Sequence, residues 1–403
     1  MDALASPSFL ARVEMAPRDP ILGITEAYLA DQNPHKVNLG VGVYYDDNGK
    51  VPLLECVRRA EAQLMEKAGP RSYLPIDGIP TYNRAVQALL FGEKAVATAR
   101  SITIQALGGT GGLKLGADFL KRVAANATVW ISDPSWENHR ALFENAGFPV
   151  KTYPYYDPAT RGLKFAEMKA ALGGLAEESI VLLHACCHNP TGVDLSAGQW
   201  ADVIEIVTSC NLIPFLDIAY QGFGESIGAD GAIVRRFADA GSPLFVASSF
   251  SKSFSLYGER VGALSICTGS NDEAQRVLSQ VKRVVRTNYS NPPTHGGQVV
   301  AAVLTDPELR GLWERELAAM RDRIRAIRQQ FVDQLKTRAP GRNFDFVLKQ
   351  RGMFSYSGLS KDKIARLRDE YSIYAVDSGR ICVAALNSRN VDYVAEGIAK
   401  VFG

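Results

Sequence analysis

Lys252 lies in the run Ser248 to Gly262 (Ser-Ser-Phe-Ser-Lys-Ser-Phe-Ser-Leu-Tyr-Gly-Glu-Arg-Val-Gly), among hydroxyls and just ahead of Arg260. A lysine amine can form a Schiff base with an aldehyde. Ser249, Ser251 and the two-pronged guanidinium of Arg260 can bind a phosphate. Together they suit a phosphorylated aldehyde cofactor, for which pyridoxal phosphate is the candidate. Taken alone, a lysine in a serine-rich surface loop is the commoner explanation, so the rest of the chain has to decide.

Asp217 closes the apolar run Leu212 to Leu216. A carboxylate there can pair with a protonated pyridine nitrogen and keep the ring electron-poor, although a turn or cap aspartate looks the same in sequence. Tyr220 and Asn189 can meet a ring hydroxyl, and Asn189-Pro190 is also an ordinary turn initiator. Trp136 can stack on a ring face, with His139 touching Asp217 from behind. Gly108-Gly109-Thr110-Gly111-Gly112 follows a strand-like run and opens a helix, so its N–H groups can cradle a phosphate; a plain structural turn explains it equally. It is no dinucleotide fingerprint, because Lys114 stands where the third glycine belongs, and no G-x-x-x-x-G-K-[ST] occurs. Arg380, just before Ile381-Cys382-Val383, can clamp a carboxylate in two-pronged fashion, and Arg286 can take a second one. His184-Ala185-Cys186-Cys187-His188 has metal-ligand residue types but no second pair at a structural-zinc spacing, so no metal is expected.

These residues need a scaffold that gathers them. Short apolar runs at Ser101–Gln105, Val129–Ser132, Ile180–His184, Leu212–Asp217 and Leu244–Ser248 each end in a polar or glycine-rich turn. Amphipathic helical stretches such as Leu113–Val123 and Gln199–Val207 lie between them. The alternation predicts an α/β fold with a mostly parallel sheet covered by helices. In such sheets chemistry collects beyond the carboxyl ends of the strands, where Asp133–Trp136, His188–Gly192, Asp217–Tyr220 and Ser249–Lys252 all fall. A long helix is expected from Asp306-Pro307, with Leu309, Leu312, Trp313, Leu317, Met320, Ile324, Ile327, Phe331 and Leu335 on one face and a stop at Pro340-Gly341. It connects to a smaller α+β unit with strand candidates at Phe344–Lys349, Met353–Tyr356 and Ile381–Ala384.

Composition narrows the function classes. Lys+Arg at 45 against Asp+Glu at 43 leaves a formal charge of +2, with no basic block for nucleic acid or an anionic membrane. Selectivity for anions must then be local. The six cysteines (Cys56, Cys186, Cys187, Cys210, Cys267, Cys382) form no disulfide framework and fit free thiols in a reducing cytoplasm. The N-terminal stretch lacks a signal-peptide apolar core and reads as an arm.

With Lys252, Asp217, Asn189 and Arg380 in this order, the chain resembles the fold-type I pyridoxal phosphate enzymes, specifically the class I aspartate and aromatic amino acid aminotransferases. Val37–Gly42, Tyr73–Ile76, Gly108–Gly111, Asp133–His139, Cys186–Gly192, Asp217–Gly222, Ser249–Gly262, Tyr289–Pro293 and Arg351–Ser355 all look like family motifs, close to full length. The resemblance implies a seven-stranded sheet in a large cofactor domain (residues 51–310), a small domain (19–50 and 311–403) and an arm (1–18). It implies that Lys252 carries the cofactor and moves the substrate's α-proton, and that Asp217 partners the ring nitrogen. Tyr220 and Asn189 then partner the ring hydroxyl. Gly109, Thr110, Ser249 and Arg260 match phosphate contacts, and Tyr73 joins them across a dimer interface. Gly42, Trp136, Asn189 and Arg380 match the substrate α-carboxylate site. Arg286 matches the distal-carboxylate residue of a neighbouring subunit, so a homodimer with shared active sites is implied.

Substrate preference is carried by fewer residues. Phe254–Arg260, Arg380–Asn387 and Tyr44-Tyr45 look like the aromatic, tyrosine-using branch, whereas Ser72, Thr110 and Asn291 are closer to the aspartate pattern. Use of both substrate kinds is the economical expectation, with Arg286 swinging outward when a neutral ring enters. The alternative is an aspartate aminotransferase with little aromatic activity. A nicotinamide dehydrogenase would leave Lys252 without a role. A pyridoxal phosphate decarboxylase or lyase would keep Lys252 and Asp217, yet the paired arginines favour a transaminase. A regulatory cofactor-binding module would need a DNA-binding segment that the chain does not display.

Overall fold

The computed structural model describes residues 8–16, 22–67, 69–70, 72–93, 95–241 and 243–402. Much of the expected arm, residues 1–7 and 17–18, lies outside that part; Phe9–Arg12 forms a short turn that buries nothing.

Seven strands make the central sheet: β1 (Ser101–Leu107), β2 (Val129–Asp133), β3 (Val150–Pro154), β4 (Ile180–His184), β5 (Ile213–Ile218), β6 (Leu244–Ser249) and β7 (Val261–Cys267). Their order is β1-β7-β6-β5-β4-β2-β3. Only β7 runs antiparallel to its neighbours. Strands β4, β6 and β7 are buried along their whole length, as expected where helices cover both faces, and this explains the continuous apolar runs Ile180–Leu183 and Leu244–Ala247. Register does the positioning. Asp217 pairs with His184 on one side and Ala247 on the other, and Ser249 sits opposite Gly262, so four strand ends meet at one level.

Helix α1 (Gly108–Val123) crosses the sheet face formed by β1, β7 and β6 and buries Leu113, Leu115, Ala117 and Leu120. Its approach is close: a Cβ on Gly112 would fall 2.6 Å from the Ala263 carbonyl oxygen, which only glycine avoids. Helix α2 (Glu137–Asn145) follows β2, and α3 (Asn271–Asn288) packs on α1.

The long helix α4 spans Pro307–Arg338, with Pro307 at its first position and Asp306 capping it through bonds from the N–H groups of Glu308 and Leu309. The expected apolar face is buried from Leu309 to Leu335, except Leu312, which is half-buried. Each such side chain contributes about 1.5–3 kcal/mol by leaving water.

Two readings of the C-terminal unit need correction. Phe344–Lys349 is not a strand; Phe346–Lys349 is a helical turn, because buried Phe344 and Val347 stand at a helical spacing. The strand expected at Ile381–Ala384 is Arg380–Cys382, after which Val383–Ala385 closes into a 3-10 turn. Phe354–Tyr356 pairs with it antiparallel. Val37–Asn38 pairs parallel with Ile373–Tyr374, and the Cys382 N–H bonds to the Leu39 carbonyl at 2.8 Å. This pairing brings Gly42 and Arg380 to the same place.

Candidate active site

The strand ends and the C-terminal unit enclose a cavity of about 500 Å³. Gly42, Gly109, Thr110, Trp136, Asn189, Asp217, Tyr220, Ser249, Lys252, Arg260 and Arg380 all line it. Residues drawn from Gly42 to Arg380 therefore share one concavity.

At its floor, the Lys252 amine lies 4.9 Å over the Tyr220 ring. Burial disfavours the ammonium form and brings the pKa down to about 8 against an ordinary 10.5, even though Asp217 pulls the other way. The amine is thus far more available as a nucleophile or base near neutrality than a surface lysine. Burial also raises the Tyr220 phenol, so it stays protonated and able to donate.

Asp217 is 6% exposed. Burial alone would raise its pKa. The hydrogen bond donated by His139, with the Lys252 amine nearby, outweighs burial and holds the carboxyl below its ordinary value. Asp217 Oδ2 is 2.9 Å from His139 Nε2, and His139 Nδ1 is 2.9 Å from Ser135 Oγ. One tautomer satisfies this chain: Nε2 donates to the carboxylate and Nδ1 accepts from the serine. Behind His139 the rings of His184 and His188 follow at centroid spacings of 5.0 and 4.4 Å. Burial lowers the pKa of His184 to about 3, which keeps this backing neutral. The resulting site holds an ionised carboxylate in an apolar, ring-lined wall, suited to a cationic ring nitrogen.

Helix α1 starts at the cavity with no side-chain cap, so the N–H groups of its first turn are open to an anion. Arg260 completes this corner: its Nη1 donates to Ser251 Oγ at 3.2 Å and to the Tyr257 carbonyl at 3.0 Å. Ser249 Oγ lies 3.2 Å from Ser251 Oγ. Gly108, with φ +68, leaves room for the guanidinium; a Cβ there would lie 2.5 Å from Nη2. Helix terminus, hydroxyls and fork together suit a phosphate.

Arg380 is 2% exposed. Its Nη1 donates to Asn189 Oδ1 at 3.1 Å and its Nη2 to the Gly40 carbonyl at 2.6 Å, while Phe354 lies 4.4 Å beneath the guanidinium. Its Nε is buried without a partner, and no carboxylate pairs with it among the described residues. A buried cation with a spare donor is a receptor for a carboxylate.

Tyr73 and Arg286 do not join this cavity in their own chain. Tyr73 is 93% exposed. Arg286, exposed in the last turn of α3, bonds to the Ser290 hydroxyl.

Sequence reasoning passed over Tyr257, which lines the cavity and whose phenol accepts the Tyr44 N–H at 2.9 Å. It also gave no site role to Ser135 or His184, although the latter's place at the end of β4, beside Asp217, was a usable signal. Two clusters carry metal-ligand types among the described residues: His139, His184 and Asp217, and Cys186, Cys187 and Asp230. In the first, His139 Nε2 and Asp217 Oδ2 are engaged with each other.

The family described as Aminotransferase class I and II matches residues 34–398 of the chain. An aspartate aminotransferase of Pseudomonas aeruginosa is 60% identical over 396 residues, covering 98% of this chain and 100% of that protein. An aromatic-amino-acid aminotransferase of Escherichia coli is 52% identical over 393 residues, covering 97% of this chain and 99% of that one. Among solved structures, an aromatic-amino-acid aminotransferase from Burkholderia pseudomallei, covalently bound to pyridoxal phosphate, superposes with a TM-score of 0.96 at 63% identity, covering 98% of this chain and all of that one.

Proposed function

The chain belongs to the class I and II aminotransferases and is an amino acid transaminase that uses pyridoxal phosphate, and from that premise we propose that it moves the amino group of both dicarboxylic and aromatic amino acids onto a 2-oxo acid such as 2-oxoglutarate. Bound pyridoxal phosphate supplies an aldehyde carbon open to amines and an electron-poor ring that accepts the electron pair of a substrate α-carbon.

The chain's own residues do the rest. Lys252, with its lowered pKa, tethers the cofactor and then carries the α-proton, acting at high effective molarity because it cannot diffuse away. Asp217 keeps the ring nitrogen protonated, and His139 keeps Asp217 ionised and aimed. Tyr220 and Asn189 bind the ring hydroxyl, and Trp136 covers a ring face. Gly109, Thr110, Ser249 and Arg260 hold the phosphate at the start of α1. Arg380, aided by Asn189, Trp136 and Gly42, takes the substrate's α-carboxylate. Donor and acceptor use the same site in turn, which is a ping-pong scheme.

The observation that carries this reading is Arg380: buried, with no carboxylate partner among the described residues, and lining the same cavity as Lys252. Arg286 and Tyr73 would complete the cavity of a partner subunit in a homodimer, a role that their exposure in the single chain supports. We read residues 51–310 as the large domain, and residues 19–50 with 311–403 as the small one. A cytoplasmic location is supported by the six free cysteines; among the described residues no helix is long and apolar enough to cross a membrane.

The deciding experiment is a steady-state panel of amino donors with 2-oxoglutarate. Comparable kcat/KM for aspartate and for phenylalanine or tyrosine is expected. Activity confined to aspartate and glutamate would support the second reading, an aspartate aminotransferase, which the 60% identical relative favours.

A further inference from the structure

A second cavity, of about 620 Å³, opens between α4, the loop 223–225 and the segment 348–352. Five cationic side chains line it, Arg321, Arg325, Arg328, Lys349 and Arg351, against one carboxylate, Glu225. The chain as a whole is nearly neutral, so this concentration of one sign is local.

Arg328 sits deepest, at 4% exposure. Its donors go to the carbonyls of Val347 (3.1 Å), Gly352 (2.8 Å) and Phe354 (3.0 Å), and no carboxylate partners it among the described residues. Carbonyls satisfy N–H groups but leave the net charge uncompensated, and burial brings the guanidinium down to about 10. A clamp on three carbonyls accounts for Arg328 by itself, yet not for the other four cations around it.

The pairs made by those neighbours are weak. Arg321 Nε is 3.1 Å from Asp322, and Arg351 Nη1 is 3.5 Å from Glu225. Both carboxylates are more than half exposed, where water and salt screen them. Arg325 donates to the Gly224 carbonyl at 2.7 Å and lies 3.9 Å from Asp322. The half-exposed guanidinium groups of Arg325 and Arg351 have no firmly held carboxylate to give up, so an anion in the concavity can gather them above buried Arg328. Guanidinium forks match the geometry of a tetrahedral oxyanion.

We propose that this cavity is a second anion site, separate from the catalytic one, that takes a phosphate dianion, either free or carried on a small ester. Its floor touches the catalytic cavity: Arg328 holds the Phe354 carbonyl, and the Phe354 ring lies under Arg380.

The test uses the holoenzyme, whose cofactor phosphate already fills the cradle at α1. Inorganic phosphate is titrated calorimetrically at constant ionic strength set with chloride. One phosphate per chain is expected. The Arg325→Ala/Arg351→Ala double variant should bind it about tenfold or more weakly. Turnover without phosphate should change less than about twofold, since neither residue lines the catalytic cavity. The Arg325→Lys/Arg351→Lys variant keeps the charge but loses the forks, and should fall between the two. Parallel titration with glycerol phosphate separates the sources: tighter binding than inorganic phosphate assigns an ester, weaker binding the free ion. No heat beyond the chloride control, or unchanged affinity in a folded double alanine variant, overturns the site.

Discussion

Around Lys252 the chain supplies its own partners, whereas around Tyr73 and Arg286 the described residues leave both side chains exposed. The lysine is surrounded by a carboxylate held by His139, an uncapped helix start with Arg260 beside it, and Arg380 anchored to Asn189 and Gly40. Tyr73 and the end of α3 face solvent. The contrast points to a division of labour: one chain builds the reacting centre, and a surface from outside it would finish the substrate and phosphate ends.

The largest effect should come from breaking the self-sufficient side. Lys252→Ala should lower transamination on the order of 10⁴-fold or more while leaving the anion cradle intact, so cofactor still binds but without the covalent absorbance band. Near-normal turnover would remove Lys252 from its role.

On the open side, Arg286→Ala should cost on the order of 10² in kcat/KM for aspartate and glutamate, and little for phenylalanine or tyrosine, because only the dicarboxylates need a second cation. Equal losses for both classes would contradict the division of labour. Mixing Arg286→Ala with Lys252→Ala subunits sharpens the point. If sites are shared and subunits exchange freely, about a quarter of the sites regain both residues and dicarboxylate activity returns; no recovery would place both functions within one chain.

A pH experiment tests the burial of Lys252. Its depressed pKa means that the reactive neutral amine is scarce below about 8 and dominant above it, instead of above the ordinary 10.5. Covalent uptake of pyridoxal phosphate by the cofactor-free chain should therefore rise roughly tenfold per pH unit below about 8 and then level off. A rate still climbing toward 10.5 would show that the amine is solvated. The smallest effect is expected at Tyr73→Phe, about tenfold or less in cofactor retention, for the loss of one hydrogen bond to a charged group. Unchanged retention in dilute and concentrated protein alike would leave Tyr73 outside the site.

Much of the fold was legible because buried parallel strands write themselves as continuous apolar runs, and five such runs led to β1, β2, β4, β5 and β6. Strand β7 was not, since Gly262 and Ser265 interrupt its run; Gly262 is required there by the close passage of the Gly108 backbone. The turn at Phe346–Lys349 was misread because two aromatic and two aliphatic residues among the six of Phe344–Lys349 satisfy either period. Of the catalytic cavity, the residues with chemical function were legible by type and order. Tyr257 was not, because its phenol meets the Tyr44 backbone N–H, a contact between distant segments that no spacing records; for His184 the one signal was its place at the end of β4 beside Asp217.

The sequence by itself determined the chemistry: an amine nucleophile, a strand-end carboxylate, a glycine-rich helix start and two arginines admit few reactions in combination. Only the tertiary structure decided the state of those groups. Desolvation lowers Lys252, the bond from His139 keeps Asp217 ionised in a buried wall, and the pairing of Val37–Asn38 with Ile373–Tyr374 brings Gly42 to Arg380. Residue types are local properties, but dielectric, hydrogen-bond supply and the meeting of distant segments exist only once the chain is packed.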